Sequence, residues 1–234
     1  MGYSAKNIVD QLNGDLNSLY KKNIVNYTGI DDCGERYTEI IAKELLKPIN
    51  LKKLNAIKQI DRKKYNVHNH AFLSTATKPD SSNRAEEWLA KDLYIQKQVF
   101  NIIGKIIDFQ VPLKSIQTDE SGKIDLLAYN ENTKMLHILE LKRSGSKETL
   151  LRCVLEVYTY WKTVNKANLL ESFQLPPDTE LRKAVLIYAD SQSYADLNDR
   201  DIFIKQLMRK LEVDFCVLNH NNTQIIDYRT SHKL

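Results

Sequence analysis

The sequence predicts an α/β protein, a mixed sheet flanked by helices with a helical region ahead of it. Apolar runs of strand length recur at residues 106–113, 123–130, 135–143, 184–189, 214–219 and 223–228. Amphipathic stripes of helical period separate them. The first third is rich in lysine and asparagine and offers only helical spacing.

Ile8, Leu12, Leu16 and Leu19 share one helical spacing, and Tyr37, Ile40, Ile41, Leu45 and Leu46 share another, which Pro48 ends. A third helix starts near Leu51 and fades into Arg62-Lys63-Lys64. Residues 75–83, with Pro79, Asp80, Ser81, Ser82 and Asn83, have the composition of a loop and a helix cap. They divide the chain into a helical accessory region, 1–75, and a sheet-containing domain, 76–234. A helix over 84–94 places Ala85, Trp88, Leu89 and Leu93 inward. A strand over 106–113 and a turn over 118–122 follow.

The next two strands, 123–130 and 135–143, are joined by the short polar Glu131-Asn132-Thr133-Lys134 and form an antiparallel hairpin. A long helix over 147–164 carries Leu150, Leu151, Val154, Leu155, Tyr158 and Trp161 on one stripe. Pro176-Pro177 marks a loop, 184–189 reads as a fully buried strand, 199–211 as a helix, and 214–219 with 223–228 as a closing hairpin.

With 234 residues, 42% of them hydrophobic and 27% charged, the chain can bury a full core. Cys33, Cys153 and Cys216 share no metal-ligand spacing, so neither a disulfide framework nor a cysteine zinc site is expected. The start of the chain is polar, not a secretory signal, and no segment has the length of a membrane span. A cytoplasmic protein is expected. The net charge of +4 permits a polyanionic partner without demanding one.

The chemistry gathers on the hairpin. Its strands are apolar on both faces, yet Asp125, Glu140 and Lys142 interrupt them. Glu140 and Lys142 are two residues apart and share a face. Closure about Asn132 and Thr133 pairs Asn130 with Met135 and sets Asp125 opposite Glu140, with Cβ atoms roughly 4.5–5.5 Å apart. Two carboxylates that close repel unless a cation lies between them. Oxygen ligands suit a hard ion, Mg²⁺ with Mn²⁺ as substitute. A lysine beside them can orient water or stabilise charge on a phosphorane. The arrangement suits phosphodiester hydrolysis.

Gly122-x-x-Asp125 followed by Glu140-x-Lys142 resembles the signature of the PD-(D/E)xK nuclease superfamily, whose members share a restriction-endonuclease-like core. The likeness covers about residues 83–189, with Ile124 in place of the proline of the motif. It implies a Mg²⁺-dependent nuclease with Asp125, Glu140 and the Leu141 carbonyl as metal ligands and Lys142 as the catalytic lysine. DNA is expected ahead of RNA as substrate. The family often adds a glutamate from the preceding helix: Glu86 is preferred, with Glu87 as alternate and Glu39 a weaker rival. Many members dimerise so that two sites cut two strands, which makes a homodimer one expectation.

Other residues read more plainly. Arg143 and Lys147, near the strand exit, and Lys63 and Lys64, within the basic run from Lys47, are candidate phosphate contacts; a solvated face explains the run equally well. His68 and His70 lack evident partners. Strand parity sends His137 to the face opposite Glu140, as a core or interface histidine. Tyr158 and Tyr160 could reach toward the site. Two other readings keep the fold without turnover: a nucleic-acid-binding module, and an interaction subunit of a defence or repair assembly.

Overall fold

The hairpin is the centre of the molecule. In the computed structural model, which describes residues 3–12, 16–66, 85–113, 122–199 and 202–233, Asn130 pairs with Met135 as symmetric closure predicts. The elements are α1 (Ala5–Asp10), α2 (Tyr37–Leu45), α3 (Pro48–Asn55), α4 (Ala85–Ile95), β1 (Val99–Phe100), β2 (Gly104–Pro112), β3 (Lys123–Asn130) and β4 (Met135–Leu141). They continue with α5 (Leu150–Thr163), α6 (Lys166–Ser172), β5 (Glu180–Tyr188), α7 (Gln192–Asn198), α8 (Phe203–Leu211), β6 (Asp214–Leu218) and β7 (Ile225–Arg229). The loop expected over 75–83, the domain boundary within it, His68, His70 and residues 118–121 of the expected turn lie outside the described residues.

The seven strands form one mixed sheet in chain order. β1 to β4 run antiparallel, β4, β5 and β6 are parallel, and β7 returns antiparallel. Both faces are covered, as the two-sided apolar strands require. On one face α4 packs over β2 and β3 through Ala90 and Leu93, with Trp88 and Leu89 only half-buried. On the other, α5 lies over β3, β4 and β5. Leu151, Val154, Leu155 and Val157 are fully or almost fully buried there. At roughly 1.5–3 kcal/mol for each such side chain, this stripe outweighs the several kcal/mol that an ionised group beneath the helix costs.

Residues 16–66 contribute to the same core: Leu19, Ile24, Ile41, Leu45 and Tyr65 belong to one cluster with Ile138, Val185 and Phe215. Polar ties fix them in place. Thr149, the N-cap of α5, donates its hydroxyl to the Val25 carbonyl at 2.6 Å. Both carboxylate oxygens of Glu39 accept main-chain N–H groups at the start of α8, from Ile202, Phe203 and Ile204 at 2.8–2.9 Å. A carboxylate at a helix N-terminus satisfies donors that have no partner within the helix.

Several boundaries differ from expectation. Pro48 both ends α2 and opens α3 at its first position, where a missing N–H is harmless. The first helix stops at Asp10, and Leu16 and Leu19 belong to the core without being part of that helix, Leu19 opening a 3₁₀ turn, Leu19–Lys21. α6 and α7 carried no long stripe to announce them; each is set by a capping side chain, Asn165 accepting from Asn168 N and Ser191 from Tyr194 N. α8 accordingly starts at Phe203, and β5 begins four residues ahead of the expected strand.

Gly104, at the start of β2, has φ of 80°. A Cβ there would lie 2.1 Å from the Tyr129 carbonyl oxygen on the neighbouring strand. Gly104→Ala must therefore displace backbone as well as adopt a strained φ. It should cost about 3 kcal/mol or more, a fall of roughly 10 °C in melting temperature. A shift below 2 °C by differential scanning fluorimetry would show that the two strands separate more easily than this contact implies.

Candidate active site

At its open end the β3–β4 ladder stops at Leu126↔Leu139, one pair short of Asp125 and Glu140. The Asp125 carboxylate replaces the missing contact. Its Oδ2 accepts from Leu141 N at 2.9 Å, and its Oδ1 accepts from Gln110 Nε2 at 2.9 Å. Gln110 lies on β2 with φ of 51°, a left-handed conformation uncommon for a non-glycine residue. Such strain is found where surrounding structure holds a side chain to a task, and here the side chain holds Asp125.

Glu140 and Lys142 share one face of the sheet, as their spacing predicts, and it is the face that α5 covers. Lys142 Nζ is 2.6 Å from Glu140 Oε1, 3.3 Å from Glu148 Oε2 and 3.4 Å from Glu86 Oε2. Of the extra carboxylates weighed from sequence, Glu86 is the one that reaches the lysine. Glu87 lines the same cleft, whereas Glu39 is engaged at the start of α8.

Two further glutamates belong to the cluster and were not anticipated. Glu148 meets Lys142 and also pairs with Arg152 at 3.2 Å. Glu156 accepts from the Tyr160 hydroxyl at 2.7 Å. Arg152 and Glu156 are four apart on one face of α5, with Glu148 just ahead of the N-cap Thr149; this charged spacing was the available signal, but such a stripe ordinarily faces solvent. Tyr160 also explains Gly122: a Cβ at 122 would lie 2.3 Å from its hydroxyl. Tyr158 turns elsewhere, to Asn55 Oδ1 at 2.9 Å.

Six carboxylates (Asp125, Glu140, Glu86, Glu87, Glu148 and Glu156) thus stand in or beside one cleft, with the Lys142 ammonium buried among them. Burial, with the charges of Glu156 and Glu86, pushes Asp125 up to about 7 against the pull of Lys142. Burial and then Asp125 and Glu156 hold Glu140 well above the usual carboxylate range. Burial lowers the pKa of Lys142, but Glu140 and its neighbours outweigh that, so the ammonium stays charged. Tyr160 is raised by burial and by Glu156 and remains a neutral donor.

Among the described residues no three His, Cys, Asp or Glu side chains are grouped so as to hold a metal unaided. A Mg²⁺ ion does not require three: one or two carboxylates, a carbonyl and retained waters suffice. Asp125, Glu140 and the Leu141 carbonyl offer that set. Among the described residues Glu140 Oε2 is buried without a hydrogen-bond partner, an acceptor whose desolvation only a cation or donor would offset. The residues present therefore fit the ion.

The cleft has a volume of about 650 Å³ and is walled by Asn26, Glu86, Gln110, Asp125, Arg143 and Lys147 among others. Arg143 and Lys147, the candidate phosphate contacts near the strand exit, are exposed and line it. Lys63 and Lys64 are exposed beyond α3 and do not line it. His137 is buried on the opposite face, and burial lowers it to about 4. Cys153 and Cys216 are buried and Cys33 is exposed, all three as free thiols. No helix among the described residues is long and apolar enough to cross a membrane.

What stands defined is an α/β protein with a cleft of carboxylates around one lysine. No protein-family model matches the chain, and comparisons with curated proteins and with solved structures likewise return no match.

Proposed function

We propose that the protein is a metal-dependent nuclease with a restriction-endonuclease-like core, hydrolysing phosphodiester bonds in DNA ahead of RNA. The observation that carries this reading is the convergence of Asp125, Glu140, Lys142 and Glu86 in one cleft, with a buried oxygen of Glu140 left unpartnered. The succession of α4, β2, β3, β4, α5 and β5 around that cleft supports it, being the order of elements expected of the family.

Electrostatics bears on the substrate as well. A cleft with this excess of carboxylate repels a phosphodiester until a divalent cation reverses its sign, whereas Arg143 and Lys147 at the rim attract one. Held by Asp125, Glu140 and the Leu141 carbonyl, Mg²⁺ would supply Lewis-acid polarisation of the scissile phosphate. Lys142 donates hydrogen bonds to the attacking water and to the oxygens on which charge accumulates. Glu86 and Glu148 fix the ammonium in position. Gln110 and the Leu141 N–H fix Asp125, and the Tyr160 hydroxyl fixes Glu156.

The test is cleavage of labelled single-stranded, duplex and branched DNA, and of RNA, with Mg²⁺ or Mn²⁺. The wild-type protein should cut at least one DNA substrate, EDTA should stop it, and Asp125→Asn should be inactive. Intact substrates throughout, with no Mn²⁺ binding detected by calorimetry, would overturn the proposal.

A further inference from the structure

A second cavity, of about 340 Å³, adjoins the catalytic cleft and shares Ala85 and Arg143 with it as lining residues. It lies at the carboxyl ends of the three parallel strands. Arg143 follows β4, Tyr188 ends β5, and His220 follows β6. In open α/β sheets this end of parallel strands is where ligands are bound.

Its walls have a definite chemistry. The rings of Tyr188 and His220 stack at 29°, with centroids 6.1 Å apart. The Tyr188 hydroxyl donates to Asn222 Oδ1, which fixes the tyrosine ring and leaves the Asn222 amide nitrogen without a partner among the described residues. Leu89 of α4 supplies an apolar wall and is itself only half-buried. The Arg143 guanidinium, at the boundary between cavity and cleft, has no side-chain partner among the described residues. Aromatic faces, one apolar wall, and an amide and a guanidinium unpartnered among the described residues form a set suited to a nucleobase with its phosphate.

We propose that this cavity is a base-binding subsite that accepts one unpaired nucleobase next to the scissile phosphate, so that the substrate is a single strand or a strand end freed from its duplex. The inference rests on the nuclease reading above. The base stacks in the space bounded by Leu89, Tyr188 and His220, the Asn222 amide donates to an acceptor on its edge, and Arg143 holds the connecting phosphate. The preference for an unpaired base follows from geometry: inside a duplex both faces of a base are covered by its neighbours, and only its edges are reachable. A stacking cavity can take a base only after it has left that stack.

Binding of a fluorescein-labelled 20-nucleotide single strand and of the matching blunt duplex, measured by anisotropy in Ca²⁺, tests the proposal on the full chain. His220 is exposed in a turn, so its replacement leaves the core intact. His220→Ala should weaken single-strand binding roughly five- to tenfold and leave duplex binding unchanged. His220→Phe, which restores a ring without a titratable group, should recover the single-strand affinity. Equal effects of His220→Ala on both substrates, no effect on either, or failure of His220→Phe to recover binding would overturn the subsite while leaving the nuclease standing. If the wild-type protein bound neither strand nor duplex, the nuclease reading itself would fall with it.

Discussion

Glu140→Gln is expected to abolish metal-dependent cleavage and, in the absence of metal, to raise the melting temperature. The loss of activity follows from the role proposed for Glu140, one of two carboxylates for the cation, and from its contact with the lysine. Losing transition-state charge stabilisation of that kind lowers rates by roughly 10²–10³ or more. The gain in stability follows from the same position. Glu140 is 2% exposed, burial and the neighbouring Asp125 and Glu156 oppose its ionisation, and one of its oxygens has no partner. The amide has the same shape without the charge, and Lys142 keeps Glu86 and Glu148. A gain of about 1–2 kcal/mol is expected, as found where function has been placed ahead of stability. Lys142→Ala should lose activity to a similar degree with the opposite effect on stability. It strips the buried ammonium from Glu140, and a buried pair broken on one side costs about 3–5 kcal/mol. Thermal denaturation of the two variants in EDTA, beside their cleavage rates, separates a site built for catalysis from a structural ion pair. A fall in melting temperature for Glu140→Gln as large as for Lys142→Ala would mark the pair as structural.

The parts of this site legible in sequence are those governed by strand parity. Parity put Glu140 and Lys142 on one face, and a four-residue polar turn fixed the register from Asn130↔Met135 to Leu126↔Leu139. It did not foresee that the ladder ends there, with the Asp125 side chain taking the Leu141 N–H. Nor could it foresee Gln110: a left-handed residue inside a strand has no local sequence signal when it is not glycine. Gly122 belongs to a motif visible in sequence, but its cause, the Tyr160 hydroxyl 38 positions away, is tertiary. Glu148 and Glu156 were hidden for a related reason. Which face of a helix is buried shows in its apolar stripe, whereas a charged stripe facing a polar cleft looks the same as one facing water. Glu39 illustrates the longest reach. Its partners are 163–165 residues away, and only the assembled core distinguishes a helix cap from a candidate ligand. The two-sided apolar strands, by contrast, carried their own explanation, and the layered fold followed from them.

The crowded carboxylates should also make stability depend on pH in a direction that divalent metal reverses. Asp125 has a folded-state pKa of about 7 against an ordinary value of 3.8. A carboxyl raised in this way stabilises the fold while it is protonated. Its contribution is complete below about pH 4 and is lost as the pH rises through 7. At roughly 1.4 kcal/mol per unit, discounted because Asp125 keeps part of its surface open to the cleft, the loss is on the order of 2–4 kcal/mol. For a chain of this size it lowers the melting temperature by about 5–10 °C. Glu140, raised beside it, moves stability in the same sense. Metal should invert the trend, because an ion held by the ionised carboxylates would displace their protons. Added Mn²⁺ should therefore raise the melting temperature clearly at pH 8 and hardly at pH 5, by mass action on the folded state. Asp125→Asn removes the group and should flatten both responses between pH 5 and 8. Scanning fluorimetry across that range, with EDTA or Mn²⁺, tests the wild-type protein against the variant. Parallel pH curves for the two proteins would mean that Asp125 ionises freely in the folded state, and the repulsion that calls for a cation would then be absent.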